Sequence, residues 1–219
     1  LFRKMNFTPT LNQGMLYGNI IHQTIEYLNK HAIKGQKVSE DEINRQIKDQ
    51  IILARRAGFI VINPEQTFNQ LQKEIYTYWE QIDKFDQIIG SEMEITLANK
   101  DFILRGNVDM VFEQKDGYNI VDFKTGDPGK MPKSLLKKYQ NQLNLYAFLF
   151  EKTKGEKVQN THLYFSNTGQ TITSSAQEAS YIDQITNQIK TIEADTNFEK
   201  TKDTKNCQTC PFKYYCRRN

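Results

Sequence analysis

Arg105-Gly-Asn-Val-Asp109 and, a hairpin's length further on, Ile120-Val-Asp-Phe-Lys124 are the stretches on which the reading of this chain turns. Both read as β-strands, and side chains alternate faces along a strand. Asp122 and Lys124 therefore point the same way, while Val121 and Phe123 point into a core. A carboxylate and an ammonium on an apolar strand are costly to bury unless they pair or hold a metal. Taken alone, D-x-K reads as an ordinary ion pair, because such triplets are common. With Asp109 on the neighbouring strand, the three groups form a compact site for a hard divalent cation beside a fixed positive charge. That is equipment suited to phosphodiester hydrolysis.

The rest of the sequence sharpens this reading. Gly18-Asn-Ile-Ile-His22 lies in an apolar helical pattern upstream, and Gln142-Leu-Asn-Leu-Tyr146 lies in another downstream. Cys207, Cys210 and Cys216 follow near the end with C-x2-C-x5-C spacing. In this order G-x3-H, G-x-x-D (Gly106, Asp109), D-x-K, Q-x3-Y and the cysteine cluster resemble the RecB-type branch of the PD-(D/E)XK nuclease superfamily. The resemblance runs from about Gly14 to Cys216. Each motif is weak alone; five in sequence are specific.

The resemblance implies an α/β fold: a restriction-endonuclease-like core, a mixed sheet with flanking helices, carrying a helical insertion. It implies Mg²⁺ or Mn²⁺ held by Asp109, Asp122, the backbone carbonyl of Phe123 and His22, with waters completing the shell. Lys124 would orient the attacking water and stabilise the developing charge. Gln142 and Tyr146, one turn apart on a helix, would line the DNA path. Read without the family, His22 is a core histidine and the Gln142–Tyr146 pair ordinary helix packing. Glu92 or Glu94 could add a carboxylate, though an exposed strand acid is the simpler reading of either. Gln140 is the wrong distance from Tyr146, and His31 and His162 match no motif. Gly18 leaves room for close approach of backbone or DNA. Lys130, Lys133, Lys137 and Lys138 cluster just after the D-x-K strand and read as a solvated face or a phosphate track.

The cysteines match three of the four ligands of a 4Fe–4S cluster in the iron–sulfur members of this family. Those proteins take their fourth cysteine from upstream of the G-x3-H helix, and no cysteine precedes Cys207 here. The sequence begins at Leu1 rather than methionine and reads as a piece of something longer, with the fourth ligand cut away. Zinc with an outside ligand and three plain thiols are the other readings.

At 219 residues, 38% hydrophobic and 25% charged, the chain has ordinary globular composition and can bury a sizeable core. A net charge of +3 does not by itself announce a nucleic-acid binder. No apolar run approaches the ~20 residues that span a bilayer, and no signal-peptide pattern opens the chain, so no membrane partner and a cytoplasmic location are expected. Three clustered cysteines are not a secreted disulfide framework.

Hydrophobic periodicity predicts helices over about 15–32, from the capping box Ser39–Glu42 onward, and from Asn63-Pro64 to about Ile82. Strands are predicted over 91–98, 102–113 and 118–124, turning at Asn99-Lys100 and Lys115-Asp116-Gly117. A long helix over 132–153, a strand over 160–166 and a last helix over 175–194 complete the pattern. This is one nuclease domain, 1–219, with a helical insertion over 33–86 and a cysteine-bearing tail over 198–219. The expected function is that of a metal-dependent DNA nuclease, the C-terminal domain of a repair or recombination helicase–nuclease with its helicase motor upstream. A freestanding CRISPR-adaptation exonuclease and an idle nuclease fold that only binds DNA or braces a partner are the alternatives.

Overall fold

The structure is a computed structural model describing residues 13–98, 100, 102–115, 117–176, 180–196, 207 and 210. Helices α1 (Gln13–Ile33), α2 (Glu40–Arg56) and α3 (Pro64–Trp79) come first. Strands β1 (Gln87–Ala98), β2 (Ile103–Gln114) and β3 (Gly117–Lys124) follow. Then come α4 (Lys133–Lys154), β4 (Val158–Phe165), β5 (Gln170–Ser175) and α5 (Ser180–Ala194). Gln13–Tyr181 form one compact unit; most of α5 and the two described cysteines belong to a second. No described helix is long and apolar enough to cross a membrane.

The sheet runs in the order β1-β2-β3-β4-β5. Its first three strands are an antiparallel meander, β4 is parallel to β3, and β5 returns antiparallel to β4. The parallel step is made by α4, which packs across β4 and β1. A parallel pair needs such a crossover, and its strands are covered on both faces. That is why β3 reads Ile120-Val-Asp-Phe without alternation and is buried at all four positions.

The three N-terminal helices cover the opposite face. Ile43, Ile47 and Ile51 of α2 recur every four residues and are buried with Leu16, Ile20 and Ile25 of α1 and Leu71, Ile75 and Tyr78 of α3. Met110, Phe112, Val121, Phe123 and Tyr164 of the sheet join the same core. Both helix starts predicted from sequence form as expected. Ser39 and Glu42 make a reciprocal capping box, and Asn63 caps a helix with proline in its first turn.

One element differs from expectation. Residues 170–175 form β5, so the last helix does not begin at 175 as periodicity predicts; α5 starts at Ser180. The signal for the strand is the tight turn at Gly169, whose φ of 67° suits glycine, followed by alternating exposure along Thr171-Ile-Thr-Ser. The predicted turn residues Asn99 and Asp116 lie outside the described residues, as does Cys216.

Candidate metal centre

The last ladder pair between β2 and β3 is Met110 with Val121, so Asp109 and Asp122 are the next residues out. There the ladder gives way to a side chain: Asp109 Oδ2 accepts the Phe123 backbone N–H at 2.7 Å. One strand carboxylate is thus fixed on the main chain of the D-x-K motif itself.

His22 arrives from α1. Its Nε2 donates to the Phe123 carbonyl at 3.0 Å, while Nδ1 lies 3.5 Å from Asp109 Oδ2 and 3.7 Å from Glu92 Oε1. His22, Glu92 and Asp109 present ligand atoms all within 4.8 Å of one another. Glu92 is therefore not the exposed strand acid expected from sequence, and the structure chooses it over Glu94. Its φ of 49° makes it the one described non-glycine residue with positive φ. Such backbone costs about 1–3 kcal/mol and persists where surroundings enforce it. Asn107, two residues before Asp109 on the same face of β2, donates its amide to the other Glu92 carboxylate oxygen.

Electrostatics follow from crowding these acids together. Burial works against protonated His22, but hydrogen bonds to Asp109 and Glu92 and their charges outweigh it, pushing the imidazole up to about 10. Burial raises the Asp122 carboxyl; Lys124 opposes the rise and Asp109 adds to it. Asp122 Oδ2 touches the Lys124 ammonium as an ion pair, yet it is buried and takes no hydrogen bond of proper geometry. The Lys124 ammonium is the charge that offsets burial of this carboxylate oxygen.

The opposite wall is α4. The Lys124 ammonium lies 4.5 Å from the centre of the Tyr139 ring, an aromatic contact that no sequence motif announces. Gln142 donates to the Tyr146 hydroxyl at 2.7 Å. Burial raises the Tyr146 phenol; Gln142 opposes this, and the charges of Asp122 and Asp109 add to it. Tyr139, Gln142 and Tyr146 are spaced i, i+3, i+7, so one helix face addresses the acidic cluster. Gly106 has a steric role: a Cβ there would stand 2.9 Å from the Tyr146 ring. Gly18 has none among the described residues, since none of them comes within 4 Å of its Cβ position.

Lys130, Lys133, Lys137 and Lys138 are all exposed at the start of α4 or just before it, and Lys130 lies 3.5 Å from Asp127. Cys207 and Cys210 are half-buried and form no disulfide. His162, unassigned from sequence, sits against Phe112 and hydrogen-bonds Thr173 and Asn119. His22, Glu92 and Asp109 are the described residues whose ligand atoms converge, and Asp122 stands outside that group although its charge couples to Asp109 and His22. Two hard carboxylates and an imidazole fit a divalent cation such as Mg²⁺ or Mn²⁺.

The chain is similar to several known proteins. The sequence model of the PD-(D/E)XK nuclease superfamily matches residues 2–217. An ATP-dependent helicase/nuclease subunit from Carboxydothermus hydrogenoformans is 40% identical over 75 residues, 34% of this chain and 6% of that protein. Its counterpart in Alkaliphilus metalliredigens is 25% identical over 169 residues, 70% of this chain and 14% of that protein. The chain thus spans a small part of these curated relatives. A crystal structure of an exonuclease candidate from Eubacterium rectale covers 84% of this chain and 66% of its own, at 12% identity and a TM-score of 0.49.

Proposed function

Because the chain belongs to the PD-(D/E)XK nuclease superfamily, we propose that it is a divalent-metal-dependent DNA nuclease, the nuclease domain of a helicase–nuclease. The observation carrying this reading is the convergence of His22, Glu92 and Asp109 beside the buried Asp122–Lys124 pair. His22, Glu92 and Asp109 would hold the ion, with Asp122 and the Phe123 carbonyl beside them. When bound, Mg²⁺ or Mn²⁺ polarises the phosphate and lowers the pKa of a bound water.

The chain's own residues do the rest. Lys124 stands between Asp122 and the Tyr139 ring. From there its ammonium orients the attacking water and stabilises negative charge as it develops. The Gln142–Tyr146 pair lines the approach of the strand. The lysines at the start of α4 supply sequence-independent attraction to phosphates. That the relatives from Carboxydothermus and Alkaliphilus are named helicase/nuclease subunits supports DNA as substrate and a helicase motor as neighbour. The cysteine reading extends the proposal: Cys207, Cys210 and Cys216 hold a 4Fe–4S cluster with a fourth ligand that is not a cysteine of this sequence, which anaerobic iron and sulfide analysis tests.

The decisive experiment is cleavage of labelled single- and double-stranded DNA with Mg²⁺, Mn²⁺ or EDTA, beside Lys124→Ala. We expect metal-dependent cleavage by the wild type. The variant should lose about 100-fold or more in rate while its Mn²⁺ affinity stays near wild type. Wild-type rates in Lys124→Ala would sink the assignment.

A further inference from the structure

Behind the acidic cluster runs a relay of buried hydrogen bonds that no motif accounts for. The Tyr78 hydroxyl of α3, fully buried, donates to Asn29 Oδ1 of α1, also fully buried. Asn29 Nδ2 donates to Ser91 Oγ at 3.2 Å, and the Ser91 hydroxyl donates to the backbone carbonyl of Asp109 at 3.2 Å. All donors point the same way, toward the strand that carries Asp109, so each bond polarises the next.

The relay reaches the two places where the site departs from regular strand. Ser91 immediately precedes Glu92, whose φ of 49° is held against its intrinsic cost. Its acceptor is the main chain of Asp109, the carboxylate nearest His22. Asn29 lies two helical turns beyond His22, so one face of α1 presents both residues. Tyr78 also acts through its ring, which meets the Phe123 ring edge-on at 5.2 Å. Phe123 is the residue whose N–H and carbonyl bind Asp109 and His22. One tyrosine thus backs both sides of the cluster.

We infer that Tyr78, Asn29 and Ser91 are positioning residues that fix the Glu92 and Asp109 carboxylates for the cation. This rests on the metal reading proposed above. It makes α3 part of the active-site apparatus, although α3 supplies no ligand. Tyr78 and Asn29 are fully buried and Ser91 half-buried, and polar groups so placed are satisfied by a network that holds one geometry.

The test is Mn²⁺ titration of the whole chain, followed by electron paramagnetic resonance. Melting temperatures with EDTA and with saturating Mn²⁺ accompany it. Ser91→Ala removes one hydroxyl, Tyr78→Phe keeps the ring and removes the donor, and Ser91→Thr restores a hydroxyl. Ser91→Ala and Tyr78→Phe should weaken Mn²⁺ binding about tenfold or more, with Ser91→Thr within about threefold of wild type. If both variants melt lower in EDTA yet titrate as the wild type does, the relay is a core hydrogen-bond network and the inference fails. A wild-type chain that binds no Mn²⁺ overturns the metal reading first, and this inference with it.

Discussion

Gly106 shows how much one missing side chain contributes at this site. A Cβ there would sit 2.9 Å from two carbons of the Tyr146 ring and 3.2 Å from Leu149 Cδ1. A Cβ at that distance forces the ring to shift. Gly106→Ala should therefore destabilise by about 1–3 kcal/mol through overpacking and move Tyr146 off its Gln142 hydrogen bond. Chemical denaturation measures the first effect. A cleavage assay measures the second, as a rate loss larger than that of an equally destabilising core variant away from the site such as Ile47→Val.

His162 carries a second prediction at the residue scale. Burial pushes its imidazole down to about 4 from an ordinary 6.5. The folded state thus keeps it neutral while the unfolded chain protonates it. Between about 6.5 and 4 the unfolded state binds the extra proton, so this group's contribution is present above 6.5 and lost as pH falls through that window. Asp122, whose pKa burial raises, acts in the opposite sense, so the raw stability profile mixes both. The difference between wild type and His162→Gln isolates His162. It should shift against wild type on acidification from 6.5 to 4, by less than about 1.4 kcal/mol per pH unit. A pH-independent difference would show that the ring is charged when folded.

At the scale of elements, α4 is the part that the proposed function asks to join substrate attraction to chemistry. Its first turn holds Lys133 and no acid, against the preference of a helix N-terminus for negative charge. Two turns on, the same helix presents Tyr139 and Gln142 to the site. Reversing Lys133, Lys137 and Lys138 to glutamate should weaken DNA binding without sequence bias. The slope of log affinity against log salt should fall by about 2–3, near 0.9 for each duplex phosphate that is no longer neutralised. Fluorescence anisotropy across a salt series checks this. An unchanged slope would mean that the lysines are only a solvated face.

For the molecule as a whole, the proposed metal site should couple cation binding to stability, with the ion taking the place of the proton on His22 between Asp109 and Glu92. Mn²⁺ at 100 times its dissociation constant should add about 2.7 kcal/mol by mass action. For a chain of this size that corresponds to about 5–10 °C in melting temperature. EDTA should reverse the gain, and Asp122→Asn should abolish most of it. Equal melting temperatures with Mn²⁺ and EDTA would argue against the site.

The sequence alone was enough for the first four helices and the meander, though not for β5 or the start of the last helix. Capping residues, strand alternation and motif spacing are local properties, and local physics acts on them before any tertiary contact exists. Asp109, Asp122 and Lys124 were legible for that reason, while His22, Gln142 and Tyr146 were picked out only by the family resemblance. Only the tertiary structure chose Glu92 over Glu94, because the choice depends on a positive φ and on which strand carboxylate faces His22 from another element. Tyr139 over Lys124, and Tyr78 reaching Asp109 through Asn29 and Ser91, join residues far apart in the chain. No periodicity encodes such meetings. They exist only where helices and sheet, each shaped by its own sequence, are pressed into one core.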